Sequence, residues 1–288
     1  MTRGQAVQAA LGIAGAVVSI VVTVVVALGD RQPPARCPDG MTASGARCCG
    51  EGQRASGGHC VGRAVACAAS QTLTPDGCIA PPKRVAYAGG KALLGSPDWE
   101  GHDAREQSGG YVGPYELDAF EVTLVRYQAC VGAHACDAPP VSGEPGEPVR
   151  SVTPEQAETF CRFVGGHLPL GAEWVLAAMG REARRFAWGS TGLVCRRAAY
   201  GLTLGPCADD GTGPDLAGSR PDGATPDGAF DLSGNVAEWT HEADGYVARG
   251  GSFRSTSAGE LKSYAAERTS ARVDVGFRCA YPARSGAR

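Results

Sequence analysis

Cysteines are the most reactive side chains in this sequence, and there are 12 of them. Thiolates bind soft metals, act as nucleophiles or oxidise to disulfides, and their spacing and surroundings discriminate among these uses. Cys37, Cys48, Cys49, Cys60, Cys67 and Cys78 crowd residues 37–78. Cys130, Cys136, Cys161, Cys195, Cys207 and Cys279 are spread along the remainder. The first set lies in a segment almost free of Leu, Ile and Phe, which cannot fold on an apolar core alone. An even count in such a setting reads as a three-disulfide module formed in an oxidising compartment. A zinc module is the rival, but the adjacent Cys48 and Cys49 and the lack of paired Cys-x-x-Cys spacings argue against it. Spacing does not choose a pairing among the six.

Other groups suit other chemistries. Asp231 and Glu238 are carboxylates with Ser-Gly-Asn between them to bend the chain. Calcium takes six to eight oxygens from such folded loops. Ser252, Ser255 and Ser257 crowd one loop, but no Gly-x-Ser-x-Gly elbow is present, and serines in Gly-rich loops ordinarily form turns. His59, His102, His134, His167 and His241 are scattered, with no His-Glu-x-x-His pattern and no set of two histidines and a carboxylate.

These groups sit on a loop-rich scaffold. Gly (42) and Pro (19) are abundant, so much of the chain is turn and loop. The net charge of −3 lacks the clustered basic excess of a nucleic-acid surface. Residues 6–28 carry no charge and as a helix would be about 34 Å long, enough to cross a bilayer. An uncleaved signal-anchor is expected there, with cleavage after the Ala27-Leu28-Gly29 stretch as the competing reading. Helices are expected after Thr123, after Thr153 with Pro154 and a Gln156 capping partner, and in "GAEWVLAAMGRE".

Seven segments, in order, resemble the formylglycine-generating enzyme, or sulfatase-modifying factor, family. They are "YAGGKALLGS" (87–96), "YELDAFEVTLVRYQACV" (115–131), "AETFCRFVGGHLPLGAEWVLAAMG" (157–180), "FAWG" (186–189), "DLSGNVAEWT" (231–240), "RGGSF" (249–253) and "GFRC" (276–279). The resemblance implies an α+β, C-type-lectin-like fold with little regular secondary structure. It also implies oxidation of a sulfatase cysteine to formylglycine with oxygen and copper, held by two cysteines that follow the Gly-Gly-Ser serine. Counted from Ser252, those positions are Ser255 and Glu260. A hydroxyl cannot replace a thiolate on copper(I), so copper chemistry is not expected. Ala237 stands where the family usually has tryptophan.

The resemblance further implies a Cys161–Cys279 disulfide. It implies calcium held by the side chains of Asp231 and Glu238 with the carbonyls of Gly234 and Val236. Cys130–Cys136 and Cys195–Cys207 would close local loops, leaving no free thiol. Ser252, Arg254, Ser255, Glu260 and Arg268 are the expected pocket residues.

The expected organisation is a cytoplasmic stub and transmembrane segment (1–30), a Cys-rich module and linker (31–83), and a formylglycine-generating-enzyme-like domain (84–288). The expected protein is a single-pass, extracytoplasmic binding or scaffolding module with a protein or glycan ligand and no nucleic acid. The alternative is an oxidoreductase modifying a protein substrate.

Overall fold

The computed structural model describes residues 37, 39–44, 47–56, 59–75, 77–93, 108–208 and 213–284. The apolar segment 6–28 lies outside them. Among the described residues no helix is long and apolar enough to cross a membrane.

Three short hairpins come first. β1 (Met41–Ser44) pairs with β2 (Arg47–Gly50), β3 (Arg54–Ser56) with β4 (His59–Val61), and β5 (Thr72–Thr74) with β6 (Gly77–Ile79). Each is clamped by one disulfide: Cys37–Cys48, Cys49–Cys60 and Cys67–Cys78. All three bonds span a separation of 11, so the segment is a threefold repeat of one disulfide-closed hairpin. The third hairpin is docked on the C-terminal part of the chain. Ser70 Oγ donates to the Gly218 carbonyl at 2.7 Å and Gln71 Nε2 to the Ala217 carbonyl at 3.0 Å. Ala64, Cys78 and Leu216 share a small apolar cluster. Residues 35–288 accordingly form one compact unit, and the Pro-rich segment at 80–84 leads straight into the next strand.

That strand, β7 (Arg84–Tyr87), precedes the hairpin of β8 (Gly90–Leu93) and β9 (Ser108–Val112). β10 (Tyr115–Asp118) lies between β7 and the last strand of the chain, antiparallel to both. Three helices come next: α1 (Leu124–Gly132), α2 (Pro154–Phe163) and α3 (Gly171–Met179). A four-stranded sheet closes the fold. Its hairpin of β11 (Ala237–Glu242) and β12 (Gly245–Arg249) is flanked by β13 (Ala266–Glu267) and, in parallel with β11, β14 (Val275–Gly276). β15 (Ala280–Pro282) is the last strand.

Local chemistry explains the helices. At α2 the Gln156 amide donates to Thr153 Oγ1 (3.3 Å) and the Thr153 amide to Gln156 Oε1 (2.9 Å), a reciprocal cap with Pro154 in the first turn. At α3 Glu173 reaches back to the Leu170 amide at 2.9 Å, and Gly180 ends the helix at φ +62°. α1 differs from expectation. Thr123 occupies the cap position without a side-chain cap. The amides of Leu124 and Val125 donate instead to the carbonyls of Glu147 and Pro145, so a neighbouring loop satisfies the helix start.

α3 is buried almost throughout, with Trp174 at its centre. Tyr127 of α1, Phe160 of α2 and Phe277 form a second aromatic core. Cys161–Cys279 ties α2 to the end of that core, Cys130–Cys136 closes the turn after α1, and Cys195–Cys207 closes a long loop.

Candidate functional site

The loop after β12 starts at Gly250 (φ +89°) and Gly251 (φ +66°). Both need glycine. A Cβ on Gly250 would crowd the Leu232 carbonyl and the Trp174 ring, and one on Gly251 would lie 2.8 Å from the Glu260 carbonyl. The turn folds residues 252–260 back on themselves and floors a cleft of about 1180 Å³.

Four of the five expected pocket residues line this cleft. Ser252 is buried and donates to Asp274 Oδ2 at 2.8 Å. Ser255 is buried, its Oγ accepting from the Ser252 amide at 3.0 Å. Glu260 sits at the rim and accepts from the amide (3.1 Å) and hydroxyl (2.8 Å) of Ser257. Burial pushes the Glu260 carboxyl up, but hydrogen bonds from the Ser257 and Ser255 hydroxyls and two backbone amides outweigh it and hold the group below the usual carboxylate range. Ser255 Oγ and the Glu260 carbonyl both border Gly251. Arg254 is exposed on the cleft wall.

Arg268 does not join them. Its guanidinium pairs with Asp244 at the surface, away from the cleft lining. Sequence reasoning missed Arg272, Asp274, Glu267 and Tyr264, all of which line the cleft. Arg272 bridges two acids, reaching Asp274 Oδ1 at 3.1 Å and Glu267 Oε1 at 2.8 Å. The Ser252–Asp274 bond is the link that brings this distant segment to the loop. Ala237, the first residue of β11, lines the cleft with only a methyl group. Arg249 is held by Glu242 at 2.6 Å.

All 12 cysteines are in the six disulfides, and none is free. The cleft therefore offers hydroxyls, carboxylates and guanidinium groups for binding, and no thiol.

Behind the cleft lies a cluster of buried charge. Asp231 (φ +59°) accepts from the Gly218 amide at 2.7 Å. Glu121, part of the 115–131 family segment but not among the expected site residues, accepts from Asn235 Nδ2 (2.8 Å) and the Val236 amide (3.1 Å). Glu238 is taken up by Arg278, with Trp174 Nε1 donating at 2.7 Å. Of the expected calcium donors, then, Asp231 and the 234–236 turn lie in this cluster, and Glu238 is engaged with a guanidinium. Among the described residues no three His, Cys, Asp or Glu side chains are arranged to hold a metal.

The chain shares this fold with other proteins. It is 32% identical over 104 residues to a formylglycine-generating enzyme of Streptomyces coelicolor, covering 34% of this chain and 33% of that protein. Over 149 residues it is 32% identical to the inactive C-alpha-formylglycine-generating enzyme 2 of Bos taurus, covering 46% of this chain and 50% of that protein. The match thus spans about a third to a half of the length of these relatives. PvdO from Pseudomonas aeruginosa shares the fold, with a TM-score of 0.56 at 17% identity over 74% of this chain and 97% of that one. The sulfatase-modifying factor enzyme 1-like domain profile matches residues 70–283, and so takes in the third hairpin, both sheets and the cleft. The chain belongs to the sulfatase-modifying factor enzyme 1-like domain family.

Proposed function

We propose that this chain is a non-catalytic binding or scaffolding member of its family. On this reading it is anchored to a membrane through residues 6–28, with its disulfide-bonded part outside the cytoplasm. The observation that carries it is the pair Ser255 and Glu260, which line the cleft at the two expected cysteine positions and offer no thiolate to copper. The absence of a free cysteine supports it, as does the likeness to a relative named as inactive. A lining of hydroxyls, two guanidinium groups and three carboxylates suits a polar ligand, a protein segment or a glycan.

The test is incubation of the purified chain with copper, oxygen and a Cys-x-Pro-x-Arg peptide. No aldehyde product is expected, and its formation would establish the oxidoreductase alternative, which the Streptomyces coelicolor relative supports. Affinity capture from envelope extract, compared between wild type and an Arg272→Ala, Arg254→Ala variant, identifies the ligand of the cleft.

A further inference from the structure

A second cleft, remote in sequence from the 252–260 loop, lies between α1 and α2. It encloses about 220 Å³ and is lined by Tyr127, His134, Cys136, Asp137, Glu155 and Thr159 among others. The Cys130–Cys136 disulfide holds the loop that closes one side.

Tyr127 makes this cleft more than a surface dent. The residue is fully buried, yet its hydroxyl has no hydrogen-bond partner. The ring cannot swing to find one. It stacks on Phe160 with centroids 5.3 Å apart and meets Phe277 edge-on at 6.3 Å. A buried polar atom without a partner is costly, and this one belongs to a residue that lines the cleft.

The surrounding charge selects the ligand. Asp137 and Glu155 are exposed on the lining. Arg162 donates to Thr159 Oγ1 at 3.4 Å, and the two acids still leave the cleft net negative. Anions are therefore disfavoured. Coordination of a metal needs converging ligands, and no such set of His, Cys, Asp or Glu occurs among the described residues. An ammonium group has three donors on a compact charge and tolerates looser geometry. In the cleft it would have the unpartnered Tyr127 oxygen and the two carboxylates as candidate acceptors.

We propose that this cleft binds a primary alkylammonium group, carried either by a lysine side chain of a partner protein or by a small free amine. This does not rest on the function proposed for the 252–260 cleft.

The test is saturation-transfer NMR on the full-length chain, with n-butylammonium, the peptide Gly-Lys-Gly and its Nζ-acetylated form as probes. Both ammonium probes are expected to bind and the acetylated peptide is not. Tighter binding of the peptide assigns the site to a partner lysine, and equal binding assigns it to a free amine. Asp137→Asn should weaken binding roughly fivefold. Tyr127→Phe should also weaken it while leaving the melting temperature unchanged or raised, because it deletes only an unsatisfied hydroxyl. The proposal is overturned if neither ammonium binds, if acetylation makes no difference, if Asp137→Asn leaves binding unchanged, or if crystals soaked in n-butylammonium hold only water in the cleft.

Discussion

Glu238 and Arg278 form an enclosed two-point ion pair. Arg278 Nε donates to Oε2 at 2.7 Å and Nη2 to Oε1 at 2.6 Å, with the side chains 1% and 0% exposed. Trp174 adds a bond to the carboxylate, and the guanidinium also reaches the carbonyls of Asp118, Ala119 and Phe230. No nitrogen or oxygen of the pair is left unused. Removing one member strands a buried charge, at about 3–5 kcal/mol. Glu238→Ala should lower the unfolding free energy in urea by that amount. A loss below about 1 kcal/mol would show that the pair is not the brace between β11 and the segment joining β14 to β15.

The same pair bears on calcium. An ion bound by Asp231, Glu238 and the carbonyls of Gly234 and Val236 has to compete with Arg278 for the Glu238 carboxylate. The guanidinium already supplies a positive charge there, and calcium would have to shed its own water to compete with it. We therefore expect calcium and a chelator to give the same melting temperature. A calcium-dependent rise that Asp231→Asn removes would restore the metal site.

Asp231 should make stability depend on pH. Burial is the main cause that pushes its carboxyl up to about 6; the Gly218 amide and Arg278 pull it down, and Asp215 and Glu238 push it up. Unfolded, the group titrates near about 4. The folded chain holds the proton more tightly, so this contribution is fully present below about pH 4 and is lost as pH rises to about 6. The loss is on the order of 3 kcal/mol. Glu121, pushed up chiefly by burial and next by Asp231, adds a slope of the same sign. Asp231→Asn can keep the Gly218 hydrogen bond without the charge. Its stability relative to wild type should therefore be greater at about pH 7.5 than at about pH 4.5. An equal difference at both pH values, measured by urea unfolding, would assign the titration elsewhere.

What could be read in advance was local. The Thr153–Gln156 cap is a matter of three residues and a proline, and the chain folds it as those residues dictate. The family's motifs mark where the loop turns and where the cysteine positions fall. They do not say where a side chain points. Arg268, an expected pocket residue, turns to Asp244. Glu238 reads as a metal donor because an oxygen donor suits a cation of either kind, and Arg278 stands 40 positions away in the chain. Asp274 and Arg272 reach the cleft through tertiary packing, for which the sequence carries no periodic signal. The hairpin pairing had a signal, the repeated separation of 11, but equal spacing also permits crossed pairings.

Restoring cysteines tests whether the cleft geometry survives. Ser255 Oγ and the Glu260 carbonyl both border Gly251, and both residues line the cleft. The double change Ser255→Cys, Glu260→Cys should raise the thiol count from zero to two and create a copper(I) site, since two converging thiolates suit that soft ion. The single variants should bind copper far more weakly. Equal, weak binding by all three would mean that positions 255 and 260 no longer converge.

The three hairpin disulfides allow a comparison in which loop length is constant. Each closes a separation of 11, so the entropy each removes from the unfolded chain is the same, about 3 kcal/mol in the chain-entropy account. Differences among them must come from the folded side. Cys78 is 2% exposed and packs with Ala64 and Leu216 at the docked hairpin, whereas Cys37 and Cys48 are only half-buried. Replacing Cys67 and Cys78 by serine buries hydroxyls against an apolar cluster and loosens the hairpin that Ser70 and Gln71 anchor to residues 217 and 218. It should therefore destabilise the whole unit by more than the Cys37, Cys48 pair of substitutions, by about 1–3 kcal/mol. Denaturant unfolding of the two variants decides it. Equal losses would mean that the third hairpin is as loosely joined to the domain as the first, and that the docking contacts contribute little.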